Sequence, residues 1–117
     1  MSSFQLLLVA GTHGNEINAP WLFDQWNKKP SLIDTNDLKI KKVIGNPIAR
    51  KECQRYLDRD LNRSFSQELL MNSEINDLET SRARDLISEY GPLGKNACQI
   101  VIDFHSTTAC MGSSLVV

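Results

Sequence analysis

"FQLLLVAGTHGNE", residues 4–16, decides how the rest of the chain is read. Phe4–Ala10 is a short, unbroken apolar run halted by Gly11, the pattern of a strand buried on both faces in a largely parallel sheet. Directly after it come a histidine and an acid three residues apart, His13 and Glu16, set among small residues. Beyond Asn15 the period changes. Ile17, Trp21, Leu22 and Trp26 recur at helical spacing through Asn27, with Pro20 in the opening turns. A strand that runs through a polar turn into a helix is half of a βαβ unit, and the turn lies at the strand's C-terminal end.

Working outward, "KKPSLIDTND" is a polar loop, and "LKIKKVIGN" is a second strand that stops at Gly45-Asn46-Pro47. The stretch "ARKECQRYLDRDLNRSF" mixes arginines and aspartates with Tyr56, Leu57, Leu61 and Phe65 and shows no clean period. "NDLETSRARDLISEYGP" reads as a helix capped by Asn76 or Asp77, with Leu78, Ala83, Leu86 and Ile87 as its buried side and Gly91-Pro92 as its stop. "CQIVIDF" is a third apolar strand, "HSTTACMGSS" a polar turn, and "LVV" the start of another apolar run. Alternating strands and helices imply an α/β fold, a mostly parallel sheet flanked by helices. An apolar run at Val117 and so few strands lead us to expect the fold to continue beyond that residue.

Composition narrows the function classes. The chain is 41% hydrophobic and 23% charged, ordinary for a globular domain, and 117 residues suit one. A net charge of −1 gives no single-sign field for nucleic acid or an anionic membrane, and no apolar run is long enough to span one. The three cysteines, Cys53, Cys98 and Cys110, are odd in number and lack CxxC spacing, as expected of idle thiols in a reducing cytoplasm.

Parallel strands put their C-terminal ends on one rim, where ligands bind. His13 and Glu16 follow the first strand and His105 follows the third, so all three are expected at that rim. Two imidazoles and a carboxylate are the ligand set of hydrolytic zinc, with a fourth position left for water. Two blander readings compete. Gly11 and Gly14 lie between strand and helix as in a phosphate loop, but the P-loop lysine and the full GxGxxG spacing are missing. A polar turn with no ligand would explain HxxE alone. The chain has only two histidines, however, and each sits just after an apolar strand. Arg55, Asn62 and Arg63 form a second cluster suited to gripping a carboxylate or an oxyanion. Against that stands simple surface pairing of Arg55, Arg59 and Arg63 with Asp58 and Asp60.

"AGTHGNE", "NPIARKECQRYLDRDLNRSF" and "IDFHSTTACMG" together resemble, in order and spacing, the aspartoacylase and succinylglutamate desuccinylase family of zinc-dependent, carboxypeptidase-like amidohydrolases, with details nearest its aspartoacylase branch. The resemblance covers nearly the whole chain. It implies a zinc carboxypeptidase-like fold, of which residues 1–117 form the N-terminal part, and one zinc ion per chain on His13, Glu16 and His105. It further implies that Arg55 polarises the scissile carbonyl and that Asn62 and Arg63 grip a substrate carboxylate. Asp60 falls where the family has an acid near the ligands, a partner for His13. Ser106 stands where animal members often have asparagine.

The implied reaction is hydrolysis of a small-molecule N-acyl amino acid, N-acetylaspartate first, by a cytoplasmic enzyme. The family's general base, a glutamate well downstream of the third ligand, would lie beyond Val117, so the 117-residue chain alone is expected to show little or no activity. Other readings are a succinylglutamate desuccinylase or carboxypeptidase-like hydrolase, or a zinc-binding module that never catalyses. Homo-oligomerisation is left open by the sequence.

Overall fold

The computed structural model describes residues 4–35, 37–106 and, by backbone alone, 115–116. Most of the expected polar turn after His105, with Cys110, lies outside the described residues. In chain order the elements are β1 (Phe4–Ala10), α1 (Asn18–Lys28), β2 (Leu38–Ile44), α2 (Pro47–Lys51), α3 (Gln67–Met71), α4 (Leu78–Tyr90), β3 (Ile100–Phe104) and β4 (Leu115–Val116). Single turns of 3-10 helix lie at Pro30–Leu32, inside the expected polar loop, and at Leu61–Arg63. The strands form one sheet in the order β2-β1-β3-β4. β1 pairs in parallel with both β2 and β3, and β4 closes on β3 antiparallel. None of the helices among the described residues is long and apolar enough to cross a membrane.

β1 lies between two strands, which is why it is apolar on both faces. Leu8 and Ala10, with Leu6 partly buried beside them, pack toward α1 against Phe23 and Trp26, with Ile40, Ile44, Ile102 and Phe104 from the neighbouring strands. Phe23, Trp26 and Phe104 form a ring triad with centroids 5.9–6.3 Å apart, which adds about 0.5–1.5 kcal/mol per pair to the burial of apolar area. Leu7 and Val9 point to the other face, toward Leu61, Leu86 and Val101. In register, Val9 sits opposite Val43 on one side and Asp103 on the other. The residues that follow β1 and β3 therefore emerge at one height, and His105 comes level with the loop after Ala10.

Two expectations are corrected. The first is the buried side of α4. Asp77 is its cap, accepting from the Thr80 N–H at 2.8 Å, but the fully buried residues are Glu79, Thr80 and Ala83. Leu78 and Leu86 are only partly buried, and Ile87 is 44% exposed. The helix is turned by the polar bonds of its first turn, which outweigh its apolar periodicity. The second is β3, expected as a buried apolar strand, whose Ile100 and Val101 are exposed and which carries Asp103. The irregular stretch resolves into α2, capped by Asn46 through the Ala49 N–H, and the Leu61–Arg63 turn, capped by Asp60 through the Asn62 N–H. The short helix α3, capped by Ser66, follows it.

Candidate metal centre

Residues 11–16 are shaped by two glycines. Gly11 has φ +69°, so the chain leaves β1 in the left-handed region that favours glycine. Gly14 is pressed against α2 and the turn after it: a Cβ there would lie 2.2 Å from the Ala49 carbonyl carbon and 2.4 Å from the Ala49 and Gln54 oxygens. The Gly14 N–H donates to the Arg55 carbonyl at 3.2 Å, and the Glu16 N–H to that of His13 at 3.1 Å. The turn is thus folded back on itself and fastened to the segment that carries Arg55.

This brings His13, Glu16 and His105 together, with one ligand-type atom from each all within 4.8 Å of one another. His13 Nδ1 lies 2.6 Å from Glu16 Oε2, and His105 Nδ1 lies 3.2 Å from Glu16 Oε1. The two imidazoles meet edge to face, 5.1 Å between centroids. His13 is buried and the other two nearly so. Each ring has its far nitrogen on a carboxylate: His13 Nε2 is 2.8 Å from Asp60 Oδ1, and His105 Nε2 is 2.9 Å from Asp103 Oδ2. A proton held on each Nε2 leaves both Nδ1 lone pairs facing Glu16, the tautomers a shared cation requires. Asp103 is itself held by the Thr12 hydroxyl at 2.9 Å, and Glu16 Oε1 accepts from the Ser106 N–H at 2.8 Å. The hydrogen bond to Asp103 raises the His105 pKa; burial pulls it down, and the charges of Asp103 and Glu16 push it up again.

Arg55 lies over this cluster with its guanidinium 3.9 Å from Glu16 and 3.8 Å from Asp60, and its side chain is 55% exposed. It is held loosely and faces solvent. Asn62 and Arg63 sit exposed on the 3-10 turn directly after Asp60. Among the described residues, the expected local pairing of arginines with Asp58 and Asp60 is found only for Arg55, with Asp60. Arg59 instead reaches Asp77 at 2.9 Å, and Arg63 has no ion pair among the described residues.

Two residues escaped the sequence reading. Asp103 could have been found from strand alternation, which puts residues 103 and 105 on one side. Glu79 gave no such signal, since an acid in the first turn of a helix normally faces water. Here it is fully buried. It accepts from the N–H groups of Leu57 (3.0 Å), Asp58 (2.9 Å) and Arg59 (3.0 Å) and from the Asn46 amide (2.8 Å). Asp58 returns the bond by accepting from the Leu78 N–H at 3.0 Å.

Residues 3–117 match the sequence profile of the succinylglutamate desuccinylase/aspartoacylase catalytic domain. The chain belongs to that family. Among curated relatives, a probable aspartoacylase of Prochlorococcus marinus is 65% identical over all 117 residues, and one of Synechococcus sp. (strain CC9605) is 55% identical. The chain spans 38% of the length of each. Among solved structures, murine aminoacylase 3 superposes with a TM-score of 0.78 at 34% identity, covering 93% of this chain and 37% of that one. The succinylglutamate desuccinylase of Vibrio parahaemolyticus shares the fold, with a TM-score of 0.68 at 20% identity over 90% of this chain and 31% of that one. The family's α/β, zinc carboxypeptidase-like architecture is therefore the one observed.

Proposed function

We propose that this chain carries the metal-binding part of an enzyme that hydrolyses N-acyl amino acids, with one zinc ion per chain on His13, Glu16 and His105 and N-acetylaspartate as substrate. The observation that carries the reading is the convergence of those three donors within 4.8 Å on the rim of a parallel sheet. The donor chemistry fits zinc: two imidazole nitrogens and a carboxylate oxygen leave a fourth position for water. Both imidazoles are oriented by carboxylates, the outer arrangement such sites use. Cys53 and Cys98, unbridged among the described residues, accord with a cytoplasmic setting.

When bound, zinc supplies a water acidified toward neutrality and a positive charge beside the amide carbonyl. Arg55, loosely held above Glu16, stabilises the oxyanion as it develops on that carbonyl. Asn62 and Arg63, exposed one turn beyond Asp60, take the substrate carboxylate. Asp60 and Asp103 keep the two Nδ1 atoms directed inward. A carboxylate base must remove the water's proton and return it to the leaving amine. Glu16, Asp60 and Asp103 are each engaged with a histidine, so the base is a residue other than these.

The test is a comparison of kcat/KM for N-acetylaspartate and N-succinylglutamate with the protein at its natural length. N-acetylaspartate should be preferred by at least about tenfold. A preference for the succinyl substrate would make the enzyme a desuccinylase.

A further inference from the structure

We infer that Glu79 is a positioning residue for the metal centre, acting through the backbone of residues 57–59 on Asp60 and hence on the His13 imidazole; the inference rests on the zinc reading above. Three consecutive N–H groups of a segment with no regular structure converge on this one buried carboxylate, and the Asn46 amide completes its shell. Such a row of amides is a concave anion-binding nest, here filled from inside the protein. The segment it fixes is bounded by Arg55 and Asp60, the two groups that face Glu16 and His13. Asp77 binding Arg59 and Asp58 binding the Leu78 N–H lock the same segment from its other side.

A helix start needs none of this, because Asp77 already caps α4. Burying a second carboxylate carries a desolvation cost that an apolar residue would not. What the carboxylate supplies is a fixed place for the chain just before Asp60. Without it, three part-buried N–H groups lose their acceptor, the 57–59 segment relaxes, and Asp60 no longer holds His13 Nε2 at 2.8 Å.

The experiment is a double-mutant cycle read as zinc affinity, by competition with a chromophoric chelator, on protein at its natural length and well below its melting temperature. Wild type, E79Q, D60N and E79Q/D60N are compared, with Tm recorded for each. E79Q should weaken zinc binding about tenfold. On the D60N background the same change should cost less than about twofold, because the path through Asp60 is already cut. A lowered Tm with wild-type zinc affinity in E79Q overturns the inference, and so does a full additive loss in the double variant. If E79Q does not fold, N46S, which removes one donor to Glu79, carries the test: weakened zinc affinity supports the inference and unchanged affinity overturns it. If wild type takes up no zinc, the metal reading fails and the inference with it. If wild type binds zinc and E79Q binds it equally well, only the inference fails.

Discussion

The two ends of α4 are held by opposite means. Its first turn is sunk into the protein and polar: Glu79 is fully buried with four donors around it, and Asp77 and Leu78 bond to Arg59 and Asp58. Its later turns carry Leu86 and Ile87 along an open, largely apolar groove of about 420 Å³ with Leu7, Val9 and Val101 on the sheet side. Charge is inside where the helix meets the 57–59 segment that leads to Asp60, and apolar surface is exposed along its later turns. Apolar packing tolerates several arrangements, whereas a carboxylate with four directed bonds tolerates one. The polar end is therefore where position matters.

The comparison can be broken in order of expected effect. Gly14→Ala should be the most damaging change on the site side, since its methyl group would force backbone atoms of Ala49 and Gln54 to shift. A loss of about 3 kcal/mol in chemical denaturation is expected. Next comes acid. Burial alone would raise the Glu79 pKa, but the Leu57 N–H, the Asn46 amide and the N–H groups of Arg59 and Asp58 together hold it below its ordinary 4.5. A carboxylate depressed on folding contributes stability that is fully present above its unfolded pKa and is lost as pH falls through its folded one. Melting temperature should thus fall as pH drops below about 4.5, and E79Q should show a shallower fall. An equal acid slope in both proteins would assign the acid sensitivity to other groups. On the groove side, Ile87→Asn in the 117-residue chain should change stability by less than about 0.5 kcal/mol, since the side chain is 44% exposed. A larger loss would mean that the groove is covered in solution.

Much of this was legible in the sequence, and the limits have physical causes. β1, β2, β3, α1 and a cap at Asn76 or Asp77 follow from period and punctuation, which are local signals. The convergence of His13, Glu16 and His105 followed from one rule, that parallel strands end on a common rim. The side of α4 that is buried did not follow, because Leu78, Leu86 and Ile87 suggest an apolar face while the bonds that turn the helix come from residues 46 and 57–59. Arg59 was read with its neighbours Asp58 and Asp60, yet its partner is Asp77, and spacing along the chain does not reveal so distant a pair. α3 has only five residues, too few for a period to show. The carboxylate grip proposed for Asn62 and Arg63 and the proposed acyl preference rest on family resemblance, since a ligand contact leaves no trace in periodicity.

The most direct test of the metal centre is a zinc titration of the wild-type protein beside His105→Ala, read by calorimetry for stoichiometry. One zinc per wild-type chain and none in the variant is the expected result. Full zinc uptake by His105→Ala would contradict the assignment of His13, Glu16 and His105 as the ligand set.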